Sequence, residues 1–548
     1  MTAPKREHAE RGGDGVPADR SAGAGAGDGP APGGRASSGV SANERRASSL
    51  ELDPAAFDEL ARAFGGLTAD YFGRSAEGPV LRATSAEALA AAFDRALPTE
   101  GEPLDRLVDD CRALLGASRD NGHPRMFGYV TSPPTPVGAY ATLLGAALNQ
   151  NVTSWRSAPA ATTIERTVVR WLAELVGYAG EAAGGRACGG LLTSGGSMAN
   201  LTALLIALRV NASGGDPGGF ARRGLWGSGP PATLYVSDQV HFSVPKAAEV
   251  LGIGHEQVRE IPCGGDFRLD VRALGEAIER DARAGLRPFC VVASAGTVAT
   301  GAVDPLADVA RVAREHGLWL HVDGAYGALA SADPSKRPLF AGLELADSVS
   351  LDPHKWLYAP IDCGCLLVRD PANARAAFGG GGGHYVKVFE QHPDEAFAFW
   401  DYGIELSRPF RALKVWLMLR YYGAARVAAA IAHDCALAAH FAERVSASDD
   451  FELLAPVTLG VCCFRYAPRA ARESLGRGDE AARAAENERL DALNERALLR
   501  VQRGGRAYLS NADLRGRFAL RASIVNYRTT PEDVELTLDA VRDAAREG

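Results

Sequence analysis

From about residue 160 to residue 330 two hydrophobic periods alternate along the chain. "TTIERTVVRWLAELVGY" spaces its apolar residues as one face of a helix, and "GGLLTSGGSMANLTALLIALRV" reads as a short strand, a turn and a long helix. The segments "ATLYVSD", "FCVVASAGT" and "LWLHVDGAYG" are apolar almost throughout, and the amphipathic segments "VPKAAEVLGI" and "PLADVARVAREHG" lie between them. Strands without a polar side are strands covered on both faces. The pattern predicts an α/β fold with a mostly parallel central sheet under helices, and it puts functional groups at the carboxyl ends of the strands. Further on, "ADSVSLDPHKWLYAPIDCGCLLV" looks like two buried strand ends joined by a turn that holds His354 and Lys355. An unpaired ammonium there is costly, so the lysine either snorkels to the surface or serves as an amine.

The flanks differ. Residues 1–48 are rich in Gly, Ala, Pro, Ser and Arg and cannot bury enough apolar surface to offset their ordering entropy, so disorder is expected. A helical segment over 49–130 opens with Asp53 as N-cap and Pro54 at N1, placing Phe57, Leu60, Ala61 and Phe64 on one face that is expected to pack on the body or on a second subunit. Residues 131–400 hold the β/α region, expected as the large domain. After residue 400 a long helical run precedes the strand-like "FELLAP", "VTLGVCCFRYA" and "RFALRASIV" and a closing helix, which predicts a smaller α+β domain over 401–548. The charged "RAARESLGRGDEAARAAENERL" reads as a solvated loop and helix face.

Composition narrows the function classes. The net charge is 59 − 67 = −8 with no long basic run, which gives no support for nucleic-acid binding. No apolar run reaches about 18 residues, and the N-terminus lacks the apolar core of a signal peptide. The nine cysteines are spread thinly without C-x-x-C spacing, and Cys363 and Cys365 alternate inside an apolar run. Packing by reduced thiols, no metal site and a cytoplasmic location are the expectations.

The strand ends carry the candidate chemistry. "TSGGSMAN" joins a strand to a helix, with Gly196 and Ser197 where backbone N–H groups and a hydroxyl can meet an anion. His241 follows a strand end, although a lone histidine is often structural. Thr297 ends the next strand and could be plain turn chemistry. Asp323 closes "LHVDGAYG" at a depth where a carboxylate needs a cationic partner, and Lys355 comes 355 − 323 = 32 residues later. Asp323 and Lys355 could form a structural ion pair, or Asp323 could ligate Mg²⁺ in a phosphoryl-transfer enzyme, but no G-x-x-x-x-G-K-[ST] loop accompanies it. Pyridoxal 5′-phosphate accounts for more of the pattern. Its aldehyde needs a lysine, its ring nitrogen a carboxylate, its phosphate a helix N-terminus with hydroxyls, and its ring a stacking group.

With "HPRMFGYV", "SWRSAPAATTIE", "TSGGSMAN", "SDQVHFSVPKAA", "HVDGAYG", "DPHKW" and "RPFRALKVW", the chain resembles the pyridoxal-phosphate-dependent group II amino-acid decarboxylases over roughly residues 50–545. The resemblance implies the aspartate aminotransferase-like, fold type I architecture and a homodimer acting on a small-molecule amino acid. It implies covalent cofactor attachment at Lys355, phosphate contacts from Gly196, Ser197 and His354, and a ring-nitrogen partner in Asp323. Ala325 would lie against the ring, His241 would stack on the other face, and Thr297 would sit near the ring substituents. Tyr385, after Gly379 to Gly383, would be a catalytic tyrosine on a lid, where related aldehyde synthases carry Phe. The expected reaction is decarboxylation of an L-amino acid of the aromatic type. The alternatives are a non-aromatic substrate such as 2,4-diaminobutyrate or glutamate, whose branch "ALNQNVTSWRSAPAAT" also resembles, or an aminotransferase or aldehyde synthase. Two departures stand out. Aromatic-specific members place aromatic side chains where this chain has Val130 and Thr153. Many members carry Asn where this chain has Asp352, which is given no binding role.

Overall fold

The computed structural model describes residues 50–180, 185, 187–212, 222–225, 229–379 and 394–547. Residues 1–48 and Tyr385 therefore lie outside the described residues. Residues Arg62–Gly548 form one compact unit and Met1–Ala61 another. Asp53 caps the helix Pro54–Arg74 as expected, its carboxylate accepting the N–H groups of Ala55 and Ala56 at 3.0 and 2.9 Å.

Seven strands build the central sheet: β1 (Gly189–Thr193), β2 (Ala232–Ser237), β3 (Val258–Ile261), β4 (Arg287–Ser294), β5 (Trp319–Asp323), β6 (Ser348–Leu351) and β7 (Gly364–Val368). Their order is β1-β7-β6-β5-β4-β2-β3. The pairs from β6 through β5, β4 and β2 to β3 are parallel, and β7 runs antiparallel to both β1 and β6. The mostly parallel sheet is thus as read from the strand pattern. The two-sided apolar pattern has its cause in two cores. Along β2, Leu234 and Val236 face the core formed with helix Gly196–Asn211, while Tyr235 faces the core formed with helices Val271–Arg283 and Leu306–Glu315. Parallel pairing aligns Ser294, Asp323 and Ser350 side by side at the carboxyl ends of β4, β5 and β6.

Residues 401–548 contribute a second, four-stranded sheet in the order β10-β11-β9-β8, from β8 (Phe451–Leu453), β9 (Val461–Tyr466), β10 (Ser510–Asp513) and β11 (Phe518–Ser523). Helices Ala424–Ala447, Glu480–Gly504 and Pro531–Arg546 cover it, the last opened by a capping box at Thr530 and Asp533. Strand β10 was not legible in sequence, because "SNAD" has no apolar alternation. The helical run after residue 409 is broken at Gly423, whose φ of 78° separates helices Ala412–Tyr422 and Ala424–Ala447.

One buried carboxyl anchors the lysine turn from behind. Asp434 accepts the Trp356 indole N–H at 2.9 Å and the Tyr358 hydroxyl at 2.8 Å. Burial pushes its pKa up to about 7. The folded state then binds more protons than the unfolded chain between about pH 4 and about pH 7, so this group's contribution to stability falls as pH rises through that window. Asp434→Asn keeps an acceptor and should flatten the pH dependence of Tm there. Asp434→Leu strands two buried donors and should cost about 2–4 kcal/mol in denaturant unfolding.

Candidate active site

The carboxyl ends of β4 and β5, the turn after β6 and part of the second sheet enclose a cavity of about 780 Å³. It brings together eight of the nine residues singled out in sequence: Gly196, Ser197, His241, Thr297, Asp323, Ala325, His354 and Lys355. The ninth, Tyr385, lies outside the described residues.

Lys355 sits in a one-turn helix, Pro353–Trp356, that leaves β6 with proline at its start. Trp356 is fully buried and stacks on Tyr326 with ring centroids 4.8 Å apart, so the turn is held inward at Trp356 while Lys355 faces the cavity. The following strand packs on the glycine turn. A Cβ on Gly364 would stand 2.5 Å from the Gly195 Cα, and one on Gly196 would stand 2.8 Å from the Ala325 Cβ and 3.2 Å from the Asp352 carboxylate. Only glycine lets these three segments converge. The N-terminus of helix Gly196–Asn211 opens into the same cavity, with the N–H groups and dipole that suit a phosphate.

Asp323 is 8% exposed, and every bond it makes is one it accepts. Asn200 Nδ2 donates to Oδ2 at 2.8 Å, and the Ser350 hydroxyl and Ala325 N–H donate to Oδ1 at 3.2 and 3.1 Å. His354 receives the Cys363 N–H on Nδ1 at 3.1 Å, which leaves Nε2 toward Asp352. Burial lowers the pKa of both His354 and His241, favouring the neutral rings. Thr297 is buried, its hydroxyl 3.0 Å from that of Thr300.

Three residues that sequence reasoning passed over or misjudged belong here. Asp352, given no binding role in the sequence analysis, faces the site. Its carboxylate is 2% exposed, lines the cavity and lies 3.0 Å from Lys355 Nζ and 3.5 Å from His354 Nε2. A charge that deep takes the nearest cation, here three residues ahead across a single turn. Arg521, on β11, reaches the cavity from the second sheet. It donates to the Tyr129 carbonyl and the Ser510 hydroxyl, while its buried Nη2 finds no hydrogen-bond partner among the described residues. No local signal in "FALRAS" marks it, because the contact joins residues far apart in sequence. Asn200 was quoted within the glycine-turn motif without a role. Of the two positions where aromatic-specific members carry aromatic side chains, Val130 lines the cavity and Thr153 is buried outside it.

A buried acceptor-only carboxylate, a cavity lysine and a glycine-opened helix N-terminus are the donor set that pyridoxal phosphate requires, and the residues fit it. The model of the pyridoxal-dependent decarboxylase conserved domain matches residues 87–467. The chain belongs to the pyridoxal-dependent decarboxylase family. It is 32% identical to the aromatic-L-amino-acid decarboxylase of Bacillus atrophaeus over 91% of this chain and 97% of that protein. It is 29% identical to the phenylacetaldehyde synthase of Petunia hybrida over 90% of this chain and 95% of that protein. The crystal structure of Oryza sativa TDC with PLP and tryptamine superposes with a TM-score of 0.80 at 28% identity, covering 91% of this chain and 99% of that one. The fold type I architecture and the group II resemblance therefore stand, and this chain is a pyridoxal-phosphate-dependent amino-acid decarboxylase. Among the described residues of the decarboxylase, no helix is long and apolar enough to cross a membrane, and no cluster of His, Cys, Asp and Glu is placed to hold a metal ion.

Proposed function

We propose that the enzyme decarboxylates an aromatic L-amino acid to its amine, using the cavity between Asp323 and Lys355. The observation that carries this reading is that both groups face one cavity whose wall also presents Tyr129, Phe242 and Tyr326. Flat apolar rings around a polar centre suit a flat apolar side chain. The Bacillus atrophaeus relative is named for aromatic L-amino acids and the Oryza sativa structure holds tryptamine, which supports the same substrate class.

When bound, the cofactor supplies an electron sink for the pair left on the α-carbon as CO₂ departs. Lys355 would be the attachment point and, when free, a base beside the substrate amine. Asp323 would keep the proton on the ring nitrogen. His241 and Ala325 would hold the ring, Gly196, Ser197 and His354 would take the phosphate, and Thr297 would lie near the ring substituents. Arg521, a buried cation with a free N–H, draws the anionic end of the substrate inward. The Tyr385 hydroxyl returns a proton to the α-carbon. A tyrosine at this position, where aldehyde synthases carry Phe, favours the amine over the aldehyde made by relatives such as the Petunia hybrida enzyme.

Two further readings accompany this one. The helix Pro136–Leu148 exposes Tyr140, Leu143, Leu144 and Leu148 at helical spacing, an apolar stripe that a second copy of the chain would bury in a homodimer. The nine cysteines are all unpaired, which agrees with a reducing cytoplasm. Light scattering should give twice the mass of one chain, and Leu143→Glu should halve it; a wild-type monomer would contradict the dimer.

The test of substrate class is a panel of tyrosine, tryptophan and Dopa against glutamate, histidine and 2,4-diaminobutyrate, read by CO₂ release. The aromatic set should give kcat/KM at least tenfold above the others, since a filled aromatic pocket discriminates by about 1–3 kcal/mol. Preference for glutamate or 2,4-diaminobutyrate would overturn the substrate assignment.

A further inference from the structure

Behind the cavity wall a line of hydrogen bonds runs from the core of the sheet to two of the residues assigned to the cofactor. Its direction is fixed at the Asp323 end, and the far end agrees with it. The Trp319 indole N–H can only donate, and it donates to the Ser348 hydroxyl at 2.9 Å. Ser348 Oγ lies 2.9 Å from His321 Nδ1. A serine hydroxyl can accept twice, so this bond takes its direction from the other end of the line: Asp323 accepts from the Asn200 amide, Asn200 Oδ1 is left to accept from His321 Nε2, and Nδ1 takes the Ser348 proton. His321 is fully buried, and burial lowers its pKa so that the ring carries one proton. With Nδ1 accepting, that proton is on Nε2, which lies 2.9 Å from Asn200 Oδ1.

The amide of Asn200 therefore has only one orientation. Its oxygen faces His321, and its two N–H groups go to Asp323 Oδ2 at 2.8 Å and to Ser243 Oγ at 3.0 Å. Ser243 accepts from Asn200 and so donates to His241 Nδ1 at 2.8 Å, a nitrogen that also receives the Ser243 N–H at 3.2 Å. His241 then carries its proton on Nε2. Asn200 is 1% exposed, and the branch point lies on the first turns of the same helix whose N-terminus opens into the cavity.

We propose that Asn200 is a positioning residue that ties, from the core side, the Ser243–His241 pair to Asp323, backing the tautomer that the Ser243 N–H imposes on His241 and holding a donor against the Asp323 carboxylate. One amide ties the ring-stacking histidine to the ring-nitrogen carboxylate, and Trp319, Ser348 and His321 keep that amide from flipping. The inference rests on the assignment of His241 and Asp323 to the cofactor but not on the identity of the substrate.

The test uses the full chain labelled with ¹⁵N-histidine, whose 11 histidines give separable ring signals, with His241→Gln and His321→Gln identifying two of them. In the wild-type protein both His241 and His321 should be neutral with the proton on Nε2. A proton on Nδ1 of either ring would overturn the relay without any variant of Asn200. Asn200→Asp keeps the shape and replaces a donor with an acceptor, placing two carboxylates side by side. It should weaken pyridoxal phosphate binding roughly tenfold or more, increasingly so as pH rises, because like charges in contact disfavour ionisation. Asn200→Leu removes the bonds without adding charge: the Ser243 N–H still keeps the His241 proton on Nε2, and cofactor binding should weaken without that pH slope. Wild-type cofactor affinity and wild-type pH dependence in both variants would overturn the proposal. If Asp323→Asn and His241→Gln also left cofactor binding unchanged, the failure would lie in the site assignment instead.

Discussion

Lys355→Ala is expected to lower decarboxylation on the order of 10³-fold or more and to remove the visible absorbance of the covalently held cofactor. The variant should still fold. Lys355 has one strong side-chain partner, Asp352 at 3.0 Å, while Trp356 and Tyr358, tied to Asp434, hold the turn in place. Deleting the amine leaves the Asp352 carboxylate buried with only His354 nearby, so the cofactor-free variant should lose about 3 kcal/mol in chemical unfolding, measured by circular dichroism. Loss of activity with the fold retained would identify the amine, rather than the turn, as the essential feature. Activity within a few-fold of wild type would contradict the assignment.

Asp323→Asn is expected to have the second largest effect, a fall in kcat of about 10²–10³ with little change in KM. The substitution preserves the volume at the end of β5 and most of the bonds from Asn200, Ser350 and Ala325. What it removes is the negative charge that, on the proposed reading, would keep a proton on the ring nitrogen when charge accumulates in the transition state. Such an interaction lowers kcat and kcat/KM together. Steady-state kinetics on the preferred substrate of the panel would show this. A rise in KM with unchanged kcat would instead make Asp323 a ground-state contact.

How much of this was legible in sequence follows from how far apart the determinants lie. The strands β2, β4 and β5 announced themselves because burial on two faces forces an unbroken apolar run. Lys355, Asp323 and the glycine turn were legible because charge or glycine at a strand end is locally anomalous. Arg521 and the route from Trp319 to His241 were not, since each depends on side chains from distant segments meeting after the sheet has formed. Asp352 was given no role for a related reason: its pairing with Lys355 depends on the one-turn helix that aims both side chains into the cavity. Strand β10 was missed because an edge segment reading "SNAD" has none of the alternation that marks a half-buried strand.

The central claim is that one particular lysine holds the cofactor. The chain has six lysines, Lys5, Lys246, Lys336, Lys355, Lys387 and Lys414. Reducing the holoenzyme with borohydride fixes the cofactor to whichever of them it occupies, and peptide mass spectrometry then reads the position. The account predicts a single pyridoxyl group on the peptide containing Lys355. A pyridoxyl group on any other lysine, or none on a catalytically active protein, would contradict it.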